Sequence, residues 1–187
     1  MEKKLNFSKM FMDMHPGFFE KEYIKNIGDS REYKELILWT SDIEKTNIPI
    51  EVPDNITFGM YEGDFEAFLS EVRRVDTGWA EIYKPGDRIY CGFDGEKIAS
   101  FCMLEDMGTY TEDGATYKIG GPGCVGTVPE YRKKGIGLKM IQKATAIIKD
   151  LGYDISYIHY TGVANWYAKL GYEVVLTWNK HGITGIN

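Results

Sequence analysis

One stretch, "TVPEYRKKGIGLKMIQKATAIIKDLG" at residues 127–152, constrains the fold more than any other. A strand-like run ends at Val128-Pro129, a basic loop follows, and an amphipathic helix opens at Gly135–Gly137. Gly137, Met140, Ile141, Ala144, Ile147, Ile148 and Leu151 recur at helical spacing, with Lys139, Lys143 and Lys149 mostly elsewhere. Gly152 supplies the stop. Strand and helix patterns alternate on either side. "ITFGM" reads as a short strand, and "DFEAFLSEVRRV" as a helix with Phe65, Phe68, Leu69 and Val72 on one face and Asp64 near its start. "DRIYCGF" and "KIASFCML" are apolar runs joined by Asp94-Gly95, a strong hairpin signal. The acidic stretch "EDMGTYTEDGATY" reads as a loop before a third run, "CVGTV". "YDISYIHY" is then a strand, "VANWYAKL" a short helix ended by Gly171, and "EVVLTW" a last strand before the turn "NKHG". The order β-α-β-β-β-α-β-α-β from residue 56 onward predicts an α/β fold, a mixed sheet with helices on both faces.

The first fifty residues follow a different pattern. Pro16 suits the first turn of a helix through "GFFEKEYIKNI", stopped by Gly28. Ser30 then caps a second helix, "REYKELILWT", with Tyr33, Leu36, Ile37 and Thr40 on one side. Pro49 and Pro53 hold "NIPIEVPDN" extended. Residues 1–53 are therefore expected to be a helical arm and linker, packed on a domain at 54–187.

Two glycine clusters compete for a phosphate. Gly121, Gly123 and Gly126 spell G-x-G-x-x-G, the dinucleotide fingerprint, which needs a strand before it, a helix opening at it and an acid some way on. Here Pro122 interrupts the motif, a strand-like run follows, and the neighbourhood of Ala146 offers no acid. The match is accidental, and Gly120–Gly123 are expected to form a turn. The second cluster, Arg132-Lys133-Lys134-Gly135-Ile136-Gly137, meets the structural demand, since it joins a strand to a helix N-terminus. Unpartnered backbone N–H groups and the helix dipole make that end an anion site, and glycine there lets a bulky diphosphate approach the backbone. The alternative is a solvated basic loop. A P-loop's G-x-x-x-x-G-K-S/T is absent.

With these residues in view, "VPEYRKKGIGLKMIQKATAIIKDLGY" resembles the acyl-CoA-binding core of the GNAT-type N-acetyltransferases, whose Arg/Gln-x-x-Gly-x-Gly/Ala signature follows a strand and opens the central helix. "GVANWYAKLGYEVV" is similar to that family's closing segment, an Asn shortly before Tyr-x-x-Leu-Gly-Phe/Tyr. The resemblance covers residues 56–180 and is strongest over 124–176. It implies a GNAT-like, mostly antiparallel central sheet flanked by helices, with the N-terminal helical extension outside it. It also implies acetyl-CoA, or a close acyl relative, as donor. The diphosphate would lie on Arg132, Lys133, Lys134, Gly135, Ile136 and Gly137. The pantetheine arm would run along the edge of Gly126, Thr127 and Val128, and Asn165 would bond that arm or cap its own short helix. Tyr167 would protonate the departing CoA thiolate. A backbone N–H of Thr127 or Val128 would polarise the thioester carbonyl. Cys124 is not required as a nucleophile.

The general base is where the sequence departs from the family pattern, because "GPGCVGTV" carries no carboxylate. Glu105 and Asp106 on the preceding strand, and His159 on a later one, are the candidates. A lone His among Tyr157, Ile158 and Tyr160 is more often a satisfied core residue.

Lys plus Arg number 22 against 28 Asp plus Glu, a net charge of −6, which disfavours nucleic acid as partner. The same balance leans toward a small cationic amine with an apolar body as acceptor, near Trp79, Tyr83 and the acidic stretch with Glu105, Asp106, Glu112 and Asp113. Three unclustered cysteines argue against disulfides and against a metal site. No apolar run approaches the ~20 residues of a membrane span, and the start lacks a signal-peptide pattern, so a cytoplasmic protein is expected. Two rival classes remain: a non-catalytic acyl-CoA sensor, and an interaction protein whose residues 1–50 dock on a partner or in a homodimer.

Overall fold

Asp94 and Lys97 face each other across Gly95-Glu96, and Gly95 takes the positive φ of +60° that such a tight turn requires. This hairpin belongs to an eight-stranded sheet in a computed structural model that describes residues 5–187; the first four residues of the expected arm lie outside it. The strands are β1 (Tyr33–Trp39), β2 (Ile56–Met60), β3 (Ile89–Asp94), β4 (Lys97–Glu112), β5 (Ala115–Thr127), β6 (Ile155–Thr161), β7 (Glu173–Asn179) and β8 (Gly182–Ile186). The helices are α1 (Phe7–Met14), α2 (Glu22–Lys25), α3 (Phe65–Arg73), α4 (Trp79–Ile82), α5 (Ile136–Asp150) and α6 (Ala164–Ala168). The strand order is β2-β3-β4-β5-β6-β1-β7-β8. Every neighbouring pair is antiparallel except β5 and β6.

Alternation along each strand decides which helix it meets. Leu36, Leu38, Cys102 and Ile158 point to one face, where α5 lays Met140, Ile141, Ala144 and Ile148 and α6 lays Tyr167. On the other face α3 covers Ile89, Cys91, Phe101 and Met103 with Phe68, Leu69 and Val72. Beside it, Met10 and Phe11 of α1 and Phe18 cover Ile37, Ile155, Tyr157 and Trp178. Asp64 caps α3 by accepting from the Ala67 N–H at 2.8 Å.

One break in this sheet positions everything that follows. The parallel pairing of β5 and β6 covers only Ile119↔Ile155 and Gly120↔Ser156. Beyond it β5 continues to Thr127 bonded to β4, and its other edge is open.

Four expectations need correction. "REYKELILWT" is not a helix: residues 33–39 are β1, held between β6 and β7. A short apolar run fits both periods, and burial on both faces settles it, since Glu35, Leu36, Ile37 and Leu38 are all buried. The segment expected as an arm thus supplies an internal strand. "GFFEKEYIKNI" is a 3-10 turn, Phe18–Glu20, followed by the single turn of α2, because Gly17 and Lys21 leave helical geometry. The acidic "loop" is the outer half of a long β4–β5 hairpin, closed by Asp113 and Gly114 at φ +49° and +78°. Thr111 and Thr116 bond across it at 2.8 Å; paired polar residues stand where a half-buried strand would alternate. Last, "GITGI" after the "NKHG" turn adds β8, too glycine-rich to read as a strand. Among the described residues no helix is long and apolar enough to cross a membrane.

Candidate active site

The basic loop and helix come together as the strand–loop–helix reading requires. Lys133 and Gly135 both adopt positive φ, +61° and +75°, and bend the chain into the start of α5. Gly135 is the N-cap, no side chain caps the helix, and its first turn carries no acid. The leading N–H groups of a fifteen-residue helix are therefore uncompensated by protein. Arg132 Nε donates to the Thr127 carbonyl at 3.0 Å, and Lys134 lies over the Tyr131 ring.

The two glycines in this loop do something other than clear space for a diphosphate. A Cβ on Gly135 would stand 2.3 Å from the Glu51 carbonyl, and one on Gly137 would stand 2.6 Å from Thr127 Oγ1. They let the 47–55 segment and β5 press against the helix start. Gln142 reinforces this by donating to the carbonyls of Thr46 and Ile48.

Along the open edge of β5 the pairing with β4 shifts between Phe101↔Gly126 and Met103↔Gly123. The extra residue is accommodated at Cys124, whose φ is +46°, so β5 carries a bulge where it has lost β6. Tyr83, fully buried, donates its hydroxyl to the Cys124 carbonyl at 3.0 Å and pins that bulge. The Val128 N–H is spent on the Ala99 carbonyl of β4, 3.0 Å away, so it is not free to polarise a carbonyl. Alternation turns the Thr127 N–H and C=O to the open edge, where Arg132 meets that carbonyl. Burial pushes the Cys124 thiol up to about 12, which removes the thiolate a nucleophilic role would need.

Gly120–Gly123 are strand, not turn. Each glycine of the 121–126 pattern allows a close approach: an added Cβ would stand 2.0 Å from the Tyr157 carbonyl at Gly121, 2.3 Å from Glu105 Oε2 at Gly123, and 2.3 Å from the Phe101 ring at Gly126.

Tyr167 is 5% exposed, packed edge-on to Trp166 and near Tyr172, and its hydroxyl has no partner among the described residues. Burial raises its pKa well above the ordinary phenol range, and Tyr172, Cys102 and Cys124 add to the rise. Asn165 does not cap α6: the N-cap is Val163, without a side-chain bond, and Asn165 is exposed on the helix beside Trp166.

The three base candidates separate. Glu105 is half-buried with its carboxylate over Gly123, next to the bulge. Burial raises its pKa; His159 opposes the rise and Asp87 adds to it. Asp106 is exposed and accepts from the Gly108 N–H at 2.9 Å, a local turn contact. His159 is 27% exposed, with Nδ1 2.8 Å from Glu35 Oε2.

Sequence reasoning missed Glu35, which is fully buried and also accepts from Trp178 Nε1–H at 2.6 Å and from the Tyr160 N–H. Its signal was a single carboxylate inside the apolar run "YKELILW", invisible once that run was placed on a surface helix. Tyr83 and Glu112, expected near an acceptor, are engaged otherwise: Tyr83 on the bulge and Glu112 as acceptor for the Asn6 N–H at 2.8 Å.

Solved structures share this architecture. A GCN5-related glucosamine N-acetyltransferase region in a fungal multi-domain GH3 β-N-acetylglucosaminidase superposes with a TM-score of 0.63 at 20% identity, over 80% of this chain and 20% of that one. A GCN5-related N-acetyltransferase from Kribbella flavida gives 0.52 at 19% identity, over 78% of this chain and 55% of that one. Another, from Sphaerobacter thermophilus, gives 0.53 at 16% identity, over 80% of this chain and 50% of that one. The chain thus spans about half or less of the length of these neighbours. No curated protein matches it. The model of the acetyltransferase (GNAT) domain family matches residues 59–175, from β2 through the bulge, the basic loop and Tyr167 to β7. With well over half its length so matched, and the split sheet and uncapped α5 in place, the chain belongs to the GNAT acetyltransferase family, whose members draw the acetyl group from acetyl-CoA.

Proposed function

We propose that the chain transfers an acetyl group from acetyl-CoA to the primary amine of a small, cationic acceptor by direct attack. The observation that carries this is the open, bulged edge of β5 leading to the uncapped start of α5. An extended pantetheine arm would add to that edge as a strand through Thr127. Its diphosphate would meet the leading N–H groups of α5, with Lys133 and Lys134 beside them. The thioester would then lie at the Cys124 bulge, between Tyr167 on one face and Glu105 on the other. Holding amine and thioester together there supplies much of the rate. Glu105 takes the ammonium proton, the amine attacks the carbonyl, and the tetrahedral intermediate expels a thiolate that Tyr167 protonates, while the second proton lost from nitrogen restores the Tyr167 hydroxyl. Its raised pKa keeps Tyr167 protonated until that charge appears. The net charge of −6 favours a cationic acceptor, and the neighbouring glucosamine N-acetyltransferase region makes glucosamine an amine to include.

Saturating acetyl-CoA, at ~100 times its dissociation constant, should raise the melting temperature by roughly 5–10 °C. The Lys133→Glu/Lys134→Glu double variant should lose most of that rise. Substituting Gly135 or Gly137 would confuse the result, since both are packed against protein. No rise in a well-folded chain sinks the proposal. A rise without turnover on spermidine, tyramine or glucosamine favours a non-catalytic acyl-CoA sensor instead.

Glu105→Gln separates chemistry from stability. A carboxyl whose folded pKa lies above its unfolded value binds more protons folded, so folding weakens as pH rises through that interval. Glutamine removes this cost. The variant should melt above the parent near neutral pH, lose that advantage below the ordinary carboxylate range, and fall about 10²-fold in kcat. An unchanged kcat would remove Glu105 from the mechanism.

A further inference from the structure

Direct transfer leaves one proton to dispose of. The Glu105 carboxylate that receives it is half-buried. In the parallel register Gly120 faces Ser156, the last pair before the strands part, and His159 follows three residues on along β6. Gly121 is in close contact with the Tyr157 backbone. Glu105 Oε2 already occupies the place a Gly123 side chain would take. Glu105 and His159 lie on the same face of the sheet by alternation from Met103 and Tyr157, and Gly121 and Gly123 put no side chain between them.

The far end of this strip is an organised imidazole. Glu35 is fully buried and takes bonds from His159 Nδ1, Trp178 Nε1–H and the Tyr160 N–H. An ionised carboxylate can only accept, so the proton of a neutral His159 sits on Nδ1 and the lone pair on Nε2. Nε2 has no protein partner among the described residues. His15, at the end of α1, stacks on the ring with centroids 4.2 Å apart and planes 13° apart. Neither Glu35 nor His15 falls within the residues the family model matches.

We propose that Glu105, the side-chain-free strip at Gly121 and Gly123, and His159 form a proton path from the acceptor amine to solvent, with Glu35 as its positioning residue. The path rests on the acetyl-transfer reading above. The ammonium N–H bond breaks and its proton passes to Glu105, leaving the lone pair on nitrogen for attack. No hydrogen bond joins Glu105 to His159 among the described residues, so water between them carries that proton to His159 Nε2, which restores the carboxylate, and the imidazolium returns it to solvent. The titratable groups around His159 are Glu35 from β1, Glu105 from β4, Tyr157 and Tyr160 from β6, and His15, with Lys21 acting on His15. Burial, and then His159, push the His15 pKa down to about 4, so His15 stays neutral and does not compete for the proton near neutral pH.

The test follows acetyl transfer to spermidine, tyramine and glucosamine at saturating acetyl-CoA across pH, in the full chain and in His159→Ala, His159→Gln and Glu35→Gln. Both His159 variants should keep the acetyl-CoA melting shift, lose about 10²-fold in kcat and lose the acidic limb of the pH profile. Added imidazole should restore part of the His159→Ala rate, and Glu35→Gln should move the same limb. An active parent whose His159 variants keep its kcat and profile overturns the path alone. So does a rate loss that imidazole does not restore and that leaves the profile unchanged, which marks a structural role. An acetyl-CoA melting shift with no turnover by the parent on any of the three amines overturns the transfer reading and the path with it.

Discussion

Tyr167→Phe should lower kcat by 10²- to 10⁴-fold on any accepted amine while leaving the acetyl-CoA melting shift within about a degree of the parent's. The substitution removes one oxygen from a side chain that makes no hydrogen bond to protein, so nothing in the core is left unpaired. The ring contacts with Trp166 and Tyr172 survive, and stability should stay within about 0.5 kcal/mol. A loss in kcat alone, with KM for acetyl-CoA unmoved, identifies an interaction made only as the thiolate leaves. If kcat is unchanged, another donor protonates sulfur, and Tyr167 is a packing residue of α6.

Gly121→Ala should be among the most damaging single-methyl changes available in this chain. Its Cβ would stand 2.0 Å from the Tyr157 carbonyl oxygen, 2.9 Å from its carbon and 3.0 Å from its nitrogen, and none of these is the end of a flexible side chain. Relief requires moving β5 away from β6 next to the two residue pairs that join them. Overpacking typically costs ~1–3 kcal/mol, and a collision with backbone belongs at or above the top of that range. Urea unfolding should show a midpoint far below the parent's, or the variant should fail to express in soluble form. Gly114→Ala is the control: nothing lies within 4 Å of its Cβ, and only the cost of its positive φ of +78° remains. Equal midpoints for Gly121→Ala and the parent would mean that β5 and β6 do not approach as closely as described.

What could be read from sequence followed from how local its causes are. The α5 stripe, the Asp94-Gly95 turn, the Asp64 cap and the Tyr-x-x-Leu-Gly segment are set by residues within a few positions of one another, and each was recognisable. β1 was not, because "YKELILW" owes its strand to β6 and β7, more than a hundred residues away. Glu35 was lost with it, since a carboxylate in a surface helix needs no partner and one in a buried strand needs several. The first glycine cluster failed differently. Its spacing copies a dinucleotide loop, and rejecting that reading left no reason to keep the glycines. Their cause is three neighbours on two other strands, Phe101 and Glu105 of β4 and Tyr157 of β6, which local spacing does not reveal. The basic loop was legible as an anion site, but the purpose of Gly135 and Gly137 was not, because Glu51 and Thr127 approach them from elsewhere.

The place of β1 also governs how the molecule comes into being. Leu36 sits between Ile158 and Val174, so the strand is synthesised long before either partner leaves the ribosome. Until then "ELILW" is an apolar ribbon with both edges bare, and closing the loops to its partners costs entropy before any contact repays it. This internal strand therefore waits for β6 and β7, and joining the two halves of the sheet is a step of long sequence separation that comes after the local hairpins.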